Sequence, residues 1–479
     1  MRLRFAPSPT GFLHIGNLRT AICNYLIAKK YNAQFVLRIE DTDLDRSSKE
    51  SEESIIYDLK WAGIEWNEGP DIGGECGPYR QSERFEIYKE YTDKLLQKGY
   101  AYYCYCNQEE LDEMRKKGIS ENKSFVYSGK CKELSEKEIV KFKNEGRKPS
   151  VRFSVPEEQT ITIDDLVKGR VRFDSDNIGG DFIIVRPDGI PVYNYIVVID
   201  DALMKITHVI RGEDHLSNTP KQMLIARALN LPEPLYAHHG LMLGQDRGKL
   251  SKRHGITSVE MYRKEGYLPQ ALMNYLAMLG WAAESGEEIM PLSDIVEQID
   301  IENLAKTPAV FDFQKLKWMN GNYIRDYPIN ELTELLIPYI QQTGYNLDGK
   351  DTSWLENVAG LLRGNCEVLS DIGNLIGIFM EDVVEPDEDT DKLLREDYSK
   401  KIIEASYKLI QFSIDEKNYS DNLVNDIKNE TSLKGKKLFL PIRAILTGRI
   451  KGPELDKAIP VIGFDKCRMR IEYMFNKYI

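Results

Sequence analysis

Arg4-Phe5-Ala6-Pro7-Ser8-Pro9-Thr10-Gly11-Phe12-Leu13-His14-Ile15-Gly16-Asn17 lies close to the start of the chain. It reads as a strand, a turn stiffened by two prolines, and the first residues of a helix. Pro7 and Pro9 fix the turn, while Gly11 and Gly16 permit close backbone approach. His14 precedes the predicted helix N-terminus, where free N–H groups and the helix dipole favour negative charge. A lone histidine there would more often be a buried cap than a ligand. The length of the string favours the ligand. Far downstream stands Gly248-Lys249-Leu250-Ser251-Lys252-Arg253-His254-Gly255, a basic loop bracketed by glycines. A helix N-terminus and a basic loop together grip a polyphosphate. This pairing points to chemistry on a nucleotide.

Outward from these stretches, strand and helix signals alternate through the first hundred residues. Leu3-Arg4-Phe5-Ala6 and Phe35-Val36-Leu37-Arg38-Ile39 read as strands, and 18–30 as a helix. Such alternation implies a parallel sheet covered by helices. The pattern breaks after Gly99, where an aromatic, cysteine-rich stretch begins an insertion. Alternation is expected to resume at Phe182-Ile183-Ile184-Val185 and to run through Ile206–Ile210 to Lys252. Beyond Thr257 the spacing is mainly helical, as at Leu272, Tyr275, Leu276 and Leu279. Glu385-Pro386-Asp387-Glu388-Asp389 reads as an exposed loop.

With 479 residues, 42% hydrophobic and 29% charged, the chain suits a soluble protein of several domains. No apolar run reaches the roughly 18 residues of a membrane span, and no secretory signal is expected. The cytoplasm is the expected compartment. A net charge of -12 argues weakly against nucleic acid, since phosphate binding needs only a local basic face. Basic clusters occur at Lys434-Lys436-Lys437, Arg443-Arg449-Lys451 and Lys466-Arg468-Arg470. Seven cysteines in such a chain do not suggest a disulfide framework.

The first string resembles the HIGH motif of class I aminoacyl-tRNA synthetases, and Lys249-Leu250-Ser251-Lys252-Arg253 is similar to their KMSKS loop. Further stretches are similar to bacterial glutamyl-tRNA synthetases: Arg38-Ile39-Glu40-Asp41-Thr42-Asp43, Gly77-Pro78-Tyr79-Arg80-Gln81-Ser82-Glu83-Arg84, Val209-Ile210-Arg211-Gly212-Glu213-Asp214, and Val310–Leu316. The resemblance continues to Pro441–Gly448. Asn17 stands where many class I enzymes carry a second histidine. The resemblance implies an α/β plus all-α multidomain chain. A Rossmann-like catalytic domain (1–100 and 191–255) is split by an acceptor-binding insertion (101–190). A stem-contact region (256–325) and a helical anticodon-binding region (326–479) follow.

The implied reaction joins L-glutamate to ATP as glutamyl-adenylate, then moves the glutamyl group to the 3′ end of tRNA-Glu. Mg2+ accompanies the ATP. Pro7, Gly11, His14, Gly16, Asn17, Lys249 and Lys252 are the implied ATP contacts, with His14, Lys249 and Lys252 catalytic. A substrate with two carboxylates needs two separated cations, and arginine forks suit carboxylates. Arg4 and Arg211 take that part by resemblance, with Ala6, Ser8, Glu40 and Tyr193 around them. Glu40 would hold the substrate ammonium. Which arginine takes which carboxylate is left open.

Cys104, Cys106 and Cys131 suggest tetrahedral zinc, which wants a fourth ligand. Some relatives place a histidine two residues after the third cysteine, where this chain has Glu133. Others use a tyrosine four residues before it, and Tyr127 matches. Tyr127 is favoured over Glu133 or water, and three metal-free thiols are the alternative. The zinc would be structural.

A shortened paralogue that glutamylates a tRNA base lacks the C-terminal helices expected here. Glutaminyl-tRNA synthetase would have a β-rich C-terminal half. A catalytically dead RNA-binding protein would not need His14, Lys249 and Lys252. A small-molecule nucleotidyltransferase of the HIGH superfamily would have no use for the long helical C-terminal region. Relatives restricted to tRNA-Glu often carry an arginine near Arg363-Gly364-Asn365. Asn365 at that point hints that tRNA-Gln is charged as well. A monomer is expected.

Overall fold

The computed structural model describes residues 1–120, 126–251, 253, 255–283, 285–412, 416 and 419–479, with the backbone alone at 117–120, 412 and 421. Lys252 and His254 lie outside the described residues. The chain forms two compact units, Met1–Tyr262 with Leu272–Phe313, and Arg263–Ala271 with Gln314–Ile479. No helix among the described residues is long and apolar enough to cross a membrane.

In the first unit, strand β1 (Arg2–Phe5) pairs in parallel with β2 (Gln34–Leu37), Arg4 opposite Val36. Helix α1 (Ile15–Lys30) connects them. It starts three residues before the predicted Leu18, because His14 caps it by accepting the Gly16 N–H. Leu18, Ala21, Ile22, Leu26 and Ile27 are fully buried, so α1 is a core helix. Helices α2 (Lys49–Trp61) and α3 (Phe85–Gln97) follow.

The insertion starts with β3 (Ala101–Cys104), α4 (Gln108–Ser120), α5 (Glu136–Asn144) and β4 (Ser150–Phe153). Hairpin strands β5 (Thr160–Asp165) and β6 (Gly169–Asp174) come next, then β7 (Phe182–Val185). Strand β7 pairs antiparallel with β4, itself antiparallel to β3. Phe182–Val185 therefore completes the insertion's sheet and does not resume the parallel alternation. An apolar run of four residues is compatible with either sheet, and only its partner decides.

Alternation resumes with α6 (Tyr193–Leu203), β8 (His208–Gly212), α7 (Thr219–Leu229) and β9 (Leu235–His239). Strands β8 and β9 are parallel, with Arg211 opposite His238. The Thr207 N–H donates to the Arg2 carbonyl at 3.0 Å, which sets the start of β8 beside β1.

The second unit has no strand among its described residues. Leu332, Leu336 and Ile340 recur every fourth residue on one helix and enter a core shared with Ile402, Leu423, Ile442, Ile459 and Ile471. Two expectations are corrected here. Asp387 caps a helix, Glu388–Leu394, by accepting the Thr390 N–H at 2.9 Å. The acidic run is thus half helix start, where carboxylates are favoured. Arg470, expected on a basic face, is fully buried. Its guanidinium donates to the carbonyls of Ile378 (2.9 Å) and Leu446, while Lys466 donates to those of Phe379 (2.8 Å) and Met380 (2.6 Å). Lys434, Lys436 and Lys437 stay exposed.

Candidate active site

The two motifs meet through the backbone. The Ile15 N–H donates to the Thr257 carbonyl at 2.8 Å, and the Val259 N–H to that of Leu13 at 2.9 Å. The chain just beyond the basic loop is thereby pinned to the turn before α1. His14 Nδ1 accepts the Gly16 N–H at 3.0 Å. The ring proton then sits on Nε2, free to donate to a ligand. Burial, and then the nearby Lys249 ammonium, hold His14 below its usual range, so the neutral ring prevails at pH 7. A Cβ on Gly16 would stand 3.1 Å from His14 Nδ1, so the bare glycine makes room for that imidazole. Gly11 has another role. Its φ is 150° and nothing lies within 4 Å of the Cβ it lacks, so backbone freedom is what it contributes.

A cavity of about 500 Å3 opens between β1, α1, β8 and the basic loop. Pro7, His14, Gly16, Asn17 and Lys249 line it, as do Arg4, Ala6, Ser8, Glu40, Tyr193 and Arg211. Gly11 is not among its lining residues. Lys249 Nζ lies 3.1 Å from Asp214 Oδ2 and is largely exposed.

At the opposite end, two guanidiniums are held by different means. Arg4 is buried and donates through Nε to Asp201 Oδ1 at 3.3 Å. Its terminal nitrogens meet no protein acceptor among the described residues, so a complete fork faces the cavity. Arg211 donates through Nε to His238 Nε2 (3.1 Å) and through Nη2 to Thr219 (2.9 Å) and Gln222 (2.8 Å). Among the described residues, Nη1 makes only a 3.4 Å contact with the Tyr193 hydroxyl. That hydroxyl lies 3.2 Å from His215 Nδ1, and burial with the Arg211 charge lowers His215 to about 4. Glu40 Oε1 accepts from Arg38 at 3.2 Å. Burial raises Glu40 above the usual carboxylate range, although Arg38 and Arg4 oppose the shift. One carboxylate between two cations, facing a neutral imidazole and a cation at the far end, fits an amino acid with a second acidic group beside a polyphosphate.

Comparison with known proteins gives the same reading. The model for the catalytic domain of class I tRNA synthetases (E and Q) matches residues 1–318, and the anticodon binding domain model matches 331–475. Glutamate–tRNA ligase 1 of Caldicellulosiruptor saccharolyticus is 48% identical over 483 residues, covering 100% of this chain and 99% of its own. The chain belongs to the glutamate–tRNA ligases. The Carboxydothermus hydrogenoformans ligase is 47% identical over 480 residues, covering 99% of this chain and 100% of its own. A crystal structure of a glutamate tRNA ligase from Elizabethkingia meningosepticum, in complex with its amino acid, superposes with a TM-score of 0.88 at 31% identity over 100% of both chains.

In this ligase Cys104, Cys106 and Cys131 converge, their sulfurs within 4.8 Å of one another. Cys106 and Cys131 Sγ are 3.6 Å apart, and the Tyr127 hydroxyl is 3.3 Å from Cys104 Sγ and 3.4 Å from Cys106 Sγ. Zn–S bonds of about 2.3 Å and Zn–O bonds of about 2.0 Å give tetrahedral edges of about 3.8 Å (S–S) and 3.5 Å (S–O). The donor set fits zinc. Glu133 is exposed and outside the cluster, whereas the Tyr127 hydroxyl stands beside two of its sulfurs. Hydrogen bonds from Cys106 and Cys131 hold the Cys104 thiol well below its usual range. The Arg152 guanidinium lies 3.8 Å from the Tyr127 ring centroid, where its charge would offset an anionic ligand set.

Several residues of the ligase site escaped sequence reading. Asp201 bridges Arg4 and Arg38, the latter at 2.7 Å, and those guanidiniums hold it below the usual carboxylate range against the effect of burial. Asp200 takes Gln81 (2.8 Å), Arg84 (2.7 Å) and Tyr88 (2.9 Å). Two adjacent aspartates after the apolar run 196–199 of the helix Tyr193–Leu203 were a readable signal, because buried carboxylates demand partners. His215, His238 and Thr219 carried none.

Proposed function

We propose that this chain binds glutamate between Arg4, Arg211 and Glu40, with ATP, brought as its Mg2+ complex, toward His14 and Lys249. A glutamate carboxylate oxygen bonds to the α-phosphorus as the bond to the bridging oxygen of the β-phosphate breaks, and pyrophosphate leaves. The terminal ribose hydroxyl of tRNA-Glu then attacks the carbonyl carbon of the glutamyl-adenylate, and AMP departs. The single cavity that joins two guanidiniums to a helix N-terminus carries this reading. His14 donates from Nε2 to phosphate. Lys249 exchanges Asp214 for phosphate oxygens, and Lys252 follows it on the basic loop by sequence. Tyr193, Ala6 and Ser8 border the amino acid. Positioning and fixed charge supply most of the catalysis. ATP–pyrophosphate exchange with glutamate and tRNA tests the assignment, and no exchange with every substrate present would overturn it.

The five-region division 1–100, 101–190, 191–255, 256–325 and 326–479 belongs to the same proposal. So does a cytoplasmic monomer. All seven cysteines are unpaired thiols, as suits a reducing compartment.

Zinc at Cys104, Cys106, Tyr127 and Cys131 would be structural. It carries no step and ties β3 to the chain around Cys131. Purified protein is expected to hold about one zinc per chain, and Cys104→Ser to lose most of it. Elemental analysis finding no zinc, with all thiols free to titrate, would remove the site.

The tRNA choice rests on the turn Arg363–Asn365, where Gly364 and Asn365 are exposed. Asparagine there supports charging of tRNA-Gln alongside tRNA-Glu. Aminoacylation of both purified tRNAs should give glutamyl product on each. Charging confined to tRNA-Glu would withdraw the broader specificity.

A further inference from the structure

Arg211 is held by a chain of buried groups that leads out of the catalytic sheet and into the insertion. Of its five N–H donors, one on Nε and two on Nη2 are used by His238, Thr219 and Gln222. Nη1 alone is offered to the cavity, with only the long contact to Tyr193 among the described residues. The orientation of the guanidinium plane therefore decides whether a carboxylate finds a donor.

That plane depends on a tautomer. His238 Nε2 accepts from Arg211 only if it carries no proton. His238 Nδ1 lies 2.5 Å from Asp165 Oδ2, so the ring proton goes to Nδ1 and is donated to the carboxylate. Asp165 cannot turn away, because its Oδ1 accepts the N–H groups of Val167 (3.0 Å), Lys168 (2.8 Å) and His238 (3.2 Å). Arg211, His238 and Asp165 are all buried, and burial pushes His238 below its usual range, consistent with a neutral ring. Asp165 ends β5, in the insertion's hairpin, whereas His238 stands on β9.

We propose that Asp165 and His238 are positioning residues for the amino-acid pocket: the insertion's hairpin fixes the His238 tautomer, and the tautomer fixes Arg211 for a substrate carboxylate. The inference rests on the reading of Arg211 as a substrate ligand.

Asp165→Asn tests it. The amide oxygen can still take the three backbone N–H groups, which turns the NH2 toward His238. Nδ1 must then accept and the proton moves to Nε2, where it opposes the Arg211 Nε–H and must turn to the Thr219 hydroxyl 3.2 Å away, so Arg211 loses its acceptor on His238. The KM for glutamate should rise roughly 10- to 100-fold, the scale of a lost hydrogen bond to a charged group. The KM for ATP and for tRNA should stay as in the unaltered protein. His238→Gln places a carbonyl oxygen where Nε2 stood, which accepts from Arg211 without help from Asp165. This variant should keep a glutamate KM closer to that of the unaltered enzyme, and adding Asp165→Asn to it should change little more.

Nitrogen NMR of 15N-histidine-labelled protein, with His238 assigned by the signal lost in His238→Gln, should find the proton on Nδ1. A proton on Nε2 in the unaltered protein would overturn the inference even if Asp165→Asn fails to fold. An Asp165→Asn enzyme with normal glutamate KM, beside an Arg211→Ala enzyme with a raised one, would also overturn it and leave the pocket reading intact. An Arg211→Ala enzyme with normal glutamate KM would instead remove Arg211 from the pocket.

Discussion

Arg4→Ala is expected to raise the KM for glutamate by on the order of 10²-fold or more while leaving that for ATP nearly unchanged. The Arg4 side chain is buried, and its two terminal nitrogens meet no protein acceptor among the described residues and face the cavity. A substrate carboxylate enters a prepared fork, and truncation leaves that carboxylate desolvated and poorly paired. Loss of one partner from such a pair costs about 2–5 kcal/mol. Asp201 is not stranded by the change, because Arg38 still donates to it at 2.7 Å. The loss should therefore appear in substrate binding more than in stability. Arg4→Lys keeps the charge but gives up the planar two-nitrogen geometry, so it should recover only part of the affinity. Steady-state kinetics with glutamate varied at saturating ATP and tRNA make the measurement. A normal glutamate KM in Arg4→Ala would exclude Arg4 as a substrate clamp.

His14→Ala is expected to slow glutamyl-adenylate formation about 10²–10³-fold, the cost of removing one fixed donor from a developing charge. The Gly16 N–H occupies Nδ1 and leaves Nε2–H pointing into the cavity. Only the neutral ring has this arrangement. Since His14 titrates below its ordinary 6.5, the neutral form persists as pH falls to that value and is lost only further into acid. The activation rate should show no step assignable to His14 between about pH 7 and 9, where an unshifted imidazole is also largely deprotonated. Single-turnover activation across that range, in the unaltered protein and the alanine variant, checks both points. An alanine variant that activates glutamate at the normal rate would take His14 out of the chemistry.

What sequence reading reached follows from how far each signal travels along the chain. The strand, the proline turn and the helix start are written within fourteen consecutive residues, so the fold class was legible there. The three cysteines were legible because close spacing limits which ligand sets are possible. The preference for Tyr127 over Glu133 or water came from local spacing, and the Tyr127 hydroxyl lies beside Cys104 and Cys106 Sγ. The support beneath the amino-acid pocket is different in kind. Asp165 meets His238 across 73 residues, and Asp201 meets Arg4 across 197. Such pairs have no local pattern: the first exists only once the insertion's hairpin has folded back on β9, the second only once α6 has come beside β1. The position of β7 was misread because four apolar residues say nothing about which neighbour will pair with them. The basic group at the C-terminal end was misread because a charged residue is usually solvated, and Arg470 is an exception held by backbone carbonyls.

That arginine also bears on when the helical unit becomes stable during synthesis. The carbonyls of Ile378, Glu381 and Leu446 find their donor in the helix Phe464–Tyr478. Until this stretch has cleared the ribosome, those oxygens have no internal partner, and Ile471 and Met474 are missing from the core. A nascent chain halted before Phe464 is left with exposed apolar surface and unsatisfied acceptors, a state open to chaperones and proteases. The unit that matches the anticodon binding domain is thus closed by its last helix, and its core is incomplete until that helix docks.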